Sequence, residues 1–171
     1  ADALLARGRP YYHDLGKSVR PNFFVETQSD DVNPHDLASP AQSAFVITAH
    51  VREGADLARK SNLPPEVIDI IRQHHGTSIV ACFYEKARKG DGAVLEADYR
   101  YDGDRPSTRE AALVMLADVS EAAARSVHLP SEERWRATVR RAGDSQVADG
   151  PLPAASRQQA GKTLHVPAYA R

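Results

Sequence analysis

The sequence predicts an all-α fold, a bundle of helices around one core. Three observations carry that expectation. Apolar residues recur at helical spacing, in Ala44, Ile47, Val51, Ala55 and Ala58 and again in Val67, Ile68, Ile70 and Ile71. Helix starts are marked at Ser39-Pro40, at Pro65, and at Ser107 with Glu110, because serine caps the free N–H groups and proline is tolerated in the first turn. No stretch alternates apolar and polar residues for long enough to build a sheet.

The elements follow in order. Leu4, Leu5, Tyr11 and Tyr12 suggest a helix over 2–12, with Gly16 as its stop. Pro21, Asn33, Pro34 and a polar SDD cluster make 18–35 a long loop around Phe23-Phe24-Val25. Loops of this kind in compact domains often serve function. A helix then runs from Pro40 past Ala58, and Asn62-Leu63-Pro64-Pro65 breaks it. Pro65 opens a short helix that ends at His74-His75-Gly76. Another helix is expected over about 78–89, then a Gly- and Asp-rich loop over 90–106. Ser107 and Glu110 form a capping box for a helix through about Val127. Pro130-Ser131 starts a last amphipathic helix with Trp135 and Val139. Periodicity fades after Gly143, so the domain is expected over 1–150 and a weakly ordered tail over 151–171.

Composition narrows the function. The length of 171 residues suits one compact domain. A net charge of -1 offers no general attraction to a polynucleotide. Cys82 is the only cysteine, which rules out an intramolecular disulfide and a thiolate metal cluster and suits a reducing compartment. No apolar run reaches the roughly 18 residues of a membrane span, and no basic-then-apolar leader opens the chain.

Chemistry concentrates in four short segments: His13-Asp14 in YYHDLGK, His50 in ITAHV, His74-His75 in RQHHGTS, and Asp118 in MLADVSE. Imidazole and carboxylate together are ligands for borderline and hard divalent metals. Most of these residues sit in or beside apolar stretches, where an unpaired charge is expensive and a cation is the simplest compensation. Each has a plainer alternative. His13-Asp14 alone is a surface pair. His50 alone is a core histidine bonded to a carbonyl. His74 and His75 alone suit the negative end of a helix dipole. Asp118, on the apolar stripe with Val114, Met115 and Ala122, could pair with Arg109 or Arg125. Taken together and in this order, the set favours metal.

These segments resemble the HD superfamily of metal-dependent phosphohydrolases. The strings YYHDLGK, RPNFFVE, NPHD, SPAQSAFVITAHVREG, LPPEVIDIIRQHHGTS and YRYDGDRPSTREAALVMLADVSEAAARS resemble in particular the intracellular domain of seven-transmembrane phosphodiesterases that cleave cyclic di-AMP (the PgpH type). HHGTS is followed by IVACFYEKA, without the GYP segment of the cyclic di-GMP enzymes. The resemblance implies an HD-domain helical bundle with two divalent metals, iron or manganese. It implies hydrolysis of cyclic di-AMP to linear pApA by a hydroxide held between the metals. Asp14 would bridge them, His13 and Asp118 would serve one, and His50, His74 and His75 the other. Asp14 and Lys17 would be catalytic, with Lys17 on a phosphate, and Phe23 and Phe24 would stack on an adenine unless they are core. The family has a further ligand histidine upstream of the His-Asp pair, so residues 1–150 are read as an N-terminally truncated HD domain. The implied partner is a cyclic dinucleotide and not a polynucleotide. The implied location is the cytoplasmic side of a bacterial inner-membrane protein, attached through regions outside this chain. Another HD nucleotide phosphohydrolase and a non-catalytic nucleotide sensor are the alternatives.

Overall fold

The structure is a computed structural model that describes residues 9–28, 33–90, 93–125 and 131–148. Its α-helices are α1 (Pro34–Leu37), α2 (Pro40–Lys60), α3 (Pro65–Gln73), α4 (Ala81–Arg88), α5 (Arg109–Arg125) and α6 (Glu132–Ala148). Short 3-10 turns lie at Arg9–Tyr12, Leu15–Val19, Pro21–Phe23 and Glu96–Tyr99. The chain divides into two compact units, with the boundary between Arg105 and Pro106. Among the described residues, no helix is long and apolar enough to cross a membrane.

The first unit is built on α2. Its start is doubly secured: Gln42 N–H donates to Ser39 Oγ at 3.2 Å, and Ser39 N–H donates to Gln42 Oε1 at 2.9 Å. The buried face of α2 is rich in small residues, among them Ala44, Ala49, Gly54, Ala55 and Ala58, so neighbouring elements approach its backbone closely. Val67 and Ile71 of α3 pack on Ala55 and Ala58, with Leu15, Leu63 and Ile68 around them. A second cluster joins Ala44 to Phe83 of α4 and to Tyr99. The break between α2 and α3 falls where expected, and Asn62 takes the left-handed conformation there, φ 55°.

Three local expectations change. His13-Asp14 does not end an α-helix; it forms a turn between two 3-10 segments. Gly16 is not a stop. It lies inside the Leu15–Val19 segment, pressed onto α2 so tightly that a Cβ would sit 1.9 Å from the His50 carbonyl oxygen and 2.7 Å from Gly54 N. Gly54 answers it, since a Cβ there would meet Gly16 N at 2.8 Å. The helix expected from about residue 78 starts at Ala81, because the preceding residues pair with residues 99–103. Val80 N–H donates to Tyr99 O at 2.8 Å, Tyr101 N–H to Ser78 O at 2.9 Å, and Gly103 N–H to Gly76 O at 3.1 Å. This antiparallel run yields one isolated bridge, Ile79 with Arg100.

In the second unit, Ala112, Met115 and Leu116 of α5 form a buried cluster. The cap of α5 is Thr108 rather than Ser107: Ala111 N–H donates to Thr108 Oγ1 at 3.1 Å. Ser131 accepts from Arg134 N–H at 3.3 Å at the start of α6. α6 runs through Gly143 to Ala148, beyond the point where periodicity fades. Val127 and the tail expected over 151–171 lie outside the described residues.

The Gly16–Gly54 crossing is open to test. Gly16→Ala should lower unfolding free energy by about 2–3 kcal/mol, since backbone on both sides leaves the new methyl no room. Gly90→Ala, whose Cβ meets only Ala87 O at 3.4 Å, should stay within about 0.5 kcal/mol of the parent. Urea unfolding of both variants measures this, and equal stabilities would show that the crossing is not tight.

Candidate metal centre

Three local folding events bring one site together. α2 carries His50 on its buried face. α3 ends at Gln73, so that His74 caps it and His75 follows before Gly76, φ 56°, turns the chain. The turn at His13-Asp14 is laid against α2 by the glycine crossing, and Arg20 Nη1 bonds Glu53 of α2 at 2.5 Å. Asp14, His50, His74 and His75 then offer one ligand atom each, all within 4.8 Å of one another.

The tautomer of the two buried imidazoles follows from their outer nitrogens. His50 Nδ1 lies 2.6 Å from the Ile47 carbonyl oxygen, and His74 Nδ1 lies 2.7 Å from that of Ile71. A carbonyl only accepts, so each Nδ1 carries the hydrogen, and in that tautomer Nε2 is the lone-pair nitrogen that faces inward. Those two nitrogens are 3.2 Å apart. Asp14 Oδ1 lies 3.5 Å from the first and 3.6 Å from the second, and it is buried without a hydrogen-bond partner. Three acceptors thus face one another with no proton between them, an arrangement that fits a divalent cation and repels itself without one.

Electrostatics agree with this reading. Burial, reinforced by His74, lowers the His50 pKa to about 4. Burial, with His74 and His50 nearby, holds His75 well below the ordinary histidine value. Burial alone would raise the Asp14 carboxyl, but His13, His74 and Lys17 around it outweigh that and keep it far below the usual carboxylate range. Burial therefore favours the neutral imidazoles of His50 and His75 beside an ionised Asp14 carboxylate, the forms that bind metal.

Asp14 divides its oxygens. Oδ1 faces His50 and His74, while Oδ2 lies 3.2 Å from His13 Nε2 and 2.7 Å from Lys17 Nζ. Lys17 also donates to Glu26 at 3.1 Å, and its ammonium stands 5.5 Å from the Phe24 ring centre. Burial would lower the Lys17 pKa, yet Asp14 and Glu26 raise it, so the charge is firmly held.

The first unit thus gathers His13, Asp14, Lys17, His50, His74 and His75. Asp118 lies in the second unit on α5, half-buried. Phe24 adopts the core alternative: it is 5% exposed, and its ring meets that of His50 edge-on at 5.6 Å. Phe23 is half-buried and lines an apolar groove of about 750 Å³ with Leu37, Phe45 and Val46. Tyr101 belongs to the site's surroundings but carried no assignment from sequence; its ring stacks on His75 with centres 4.2 Å apart. An aromatic residue inside the polar loop YRYDGD was the available signal.

Comparison with known proteins gives this geometry a context. A family model for the HD domain matches residues 2–123. The cyclic-di-AMP phosphodiesterase PgpH of Bacillus subtilis is 44% identical over 150 residues, covering 88% of this chain and 21% of that protein. PgpH of Listeria monocytogenes is 44% identical over 131 residues, covering 77% of this chain and 18% of that protein. The chain therefore spans about a fifth of the length of these relatives. The crystal structure of the L. monocytogenes PgpH HD domain in complex with cyclic di-AMP superposes with a TM-score of 0.86 at 37% identity, covering 96% of this chain and 79% of that one. The helical architecture, the match to the family model and the likeness to a solved HD domain agree, and the chain belongs to the HD-domain family.

Proposed function

We propose that this chain is the catalytic domain of a metal-dependent phosphodiesterase that hydrolyses cyclic di-AMP to linear pApA. One observation carries the metal-dependent part: the Nε2 atoms of His50 and His74 and Asp14 Oδ1 converge as acceptors with no donor among them. The choice of substrate is supported by relatives named for cyclic di-AMP and by a related HD domain solved with that nucleotide.

In this reading His50, His74, His75 and Asp14 hold one cation. The resemblance alone implies a second cation, which His13, Asp14 and Asp118 would hold. Iron or manganese suits such a set. Bound cations supply the charge that activates a water at neutral pH and offsets the negative charge gathering on phosphate. The chain's own residues do the rest. The Ile47 and Ile71 carbonyls fix the ring orientation of His50 and His74. Lys17, held beside Asp14 Oδ2, is placed to meet a phosphate oxygen with a full positive charge. Phe23 offers an apolar wall for an adenine: Val46, which shares its groove, is four residues before His50 on α2, about 6 Å along the axis. The setting proposed with it, on the resemblance in sequence, is the cytoplasmic side of a bacterial inner-membrane protein.

The test pairs elemental analysis with cyclic di-AMP turnover on this chain and on one extended upstream, beside a panel of other nucleotides. Asp14→Ala should lose bound metal and turnover together, the latter by at least about 10³-fold, the scale of several kcal/mol of lost charge stabilisation. Retained turnover in a metal-stripped Asp14→Ala protein would overturn the scheme. Lys17→Gln should keep its metal and lose about 10- to 100-fold in kcat, the worth of one charge-assisted hydrogen bond; an unchanged kcat removes Lys17 from the reaction.

A pH prediction follows for the metal-free protein. His50 falls from an ordinary value of 6.5 to about 4 on folding, and burial holds His75 well below its ordinary value too. Below pH 6.5 the unfolded chain takes up protons that the folded one refuses. Stability should therefore be full above that pH and decline toward pH 4, by about 1.4 kcal/mol per pH unit for each histidine kept neutral. Urea midpoints across this range measure it, and a flat profile would show that the rings accept protons in place.

A further inference from the structure

His35, in the NPHD segment, is a histidine that the metal centre does not use. It sits in α1, a helix of four residues that is too short to persist without support. Asn33 caps that helix. Its Oδ1 accepts the His35 N–H at 3.0 Å and also the Gln28 side-chain amide at 3.3 Å. The backbone of His35 is thereby tied to the segment that follows Phe24. The His35 ring meets two phenylalanines, with centres 5.3 Å from Phe23 and 4.9 Å from Phe83 of α4. Phe83 belongs to the core with Ala44 and Tyr99, so the ring rests on a fixed surface.

The two nitrogens of the ring fare differently. Nε2 lies 2.9 Å from the Phe23 carbonyl oxygen. A carbonyl only accepts, so Nε2 carries a hydrogen and donates it. Nδ1 is buried, and among the described residues no hydrogen-bonding group meets it, which costs stability. Packing alone would be served as well by phenylalanine; what the imidazole adds is the bond to Phe23. The carbonyls on either side, of Pro21 and Phe24, are taken by local backbone N–H groups of Phe24 and Thr27, each at 3.0 Å. The Phe23 carbonyl is instead joined to α1, twelve positions along the chain.

Phe23 lines the apolar groove together with Pro34 and Leu37 of α1 and Phe45 and Val46 of α2. His35 therefore bonds one contributor to the groove, Phe23, while its own neighbours Pro34 and Leu37 supply others. We infer that His35 is a positioning residue for substrate binding: by holding Phe23 to α1 it shapes the groove that receives one base of the substrate. The inference rests on the cyclic dinucleotide reading. A base is the part of such a substrate that suits apolar and aromatic walls, whereas its phosphates call for cations.

The test follows cyclic di-AMP hydrolysis by the manganese-loaded protein, with AMP and inorganic phosphate as inhibitors, one with a base and one without. His35→Phe keeps a flat ring and removes the donor. It should raise the KM for cyclic di-AMP and the inhibition constant of AMP by about 5- to 10-fold, the worth of one hydrogen bond. It should leave kcat, bound manganese and inhibition by phosphate within about twofold of the parent, since none of these uses the groove. His35→Gln, whose amide N–H can reach the same carbonyl, should hold both nucleotides within about threefold of the parent. Joined to Phe23→Ala, His35→Phe should add nothing, because its effect passes through that residue. An unchanged KM in His35→Phe, a loss of manganese or an equal weakening of phosphate, a Gln variant no better than the Phe one, or a full additional loss beside Phe23→Ala would each overturn the inference and leave the phosphodiesterase standing. A parent that turns over no cyclic di-AMP, in this chain or in one extended upstream, would overturn the proposed function and this inference with it.

Discussion

The site depends on where two N–H groups go. His50 and His74 each direct the Nδ1 hydrogen to the carbonyl three residues back in its own helix. Each helix thereby fixes the tautomer of its own ligand, and the bare Nε2 must face inward. Once two such lone pairs and the Asp14 Oδ1 atom share one small volume, water and apolar side chains are poor occupants. A cation satisfies all three at once. Burial strengthens this arrangement, because it also keeps His50 neutral.

That arrangement imposes demands on the backbone. The His13-Asp14 turn reaches α2 only because Gly16 and Gly54 leave room for backbone to touch backbone. Arg20 and Glu53 tie the same turn to α2 from one side. On the other, a strap over residues 99–104 runs along the His74-His75 turn. The surrounding core is built from small alanines and from aliphatic residues of α3, so the ligands are held by elements that have little freedom to shift. This is how a site with few long side chains becomes rigid.

Much of this was legible in the sequence. Helix spacing placed α2 and α3 closely, since proline and serine signals bracket both. His13, Asp14, His50, His74 and His75 stand out as ligand types in the sequence, because such residues in apolar company need a partner. Other readings failed for local reasons. Gly16 looks like a helix stop because glycine often is one, but its role is a close approach to α2 that no local pattern reveals. Ser107 and Thr108 are both good caps, and only the geometry favours Thr108. Phe24 could stack on a base by composition, whereas its burial against His50 comes from the path of the loop.

What the amino-acid order determined by itself is the periodicity of the helices, their punctuation, and the supply of imidazole and carboxylate ligands. These properties depend on neighbours within one or two turns, and so they can be read locally. The meeting of Asp14 with His50 and His74, the pressing of Gly16 onto α2 and the stacking of Tyr101 on His75 join residues 26 to 60 positions apart. Only the tertiary structure decided those, because chain crossings and ring planes are fixed by packing across the fold and leave no repeating signature along it.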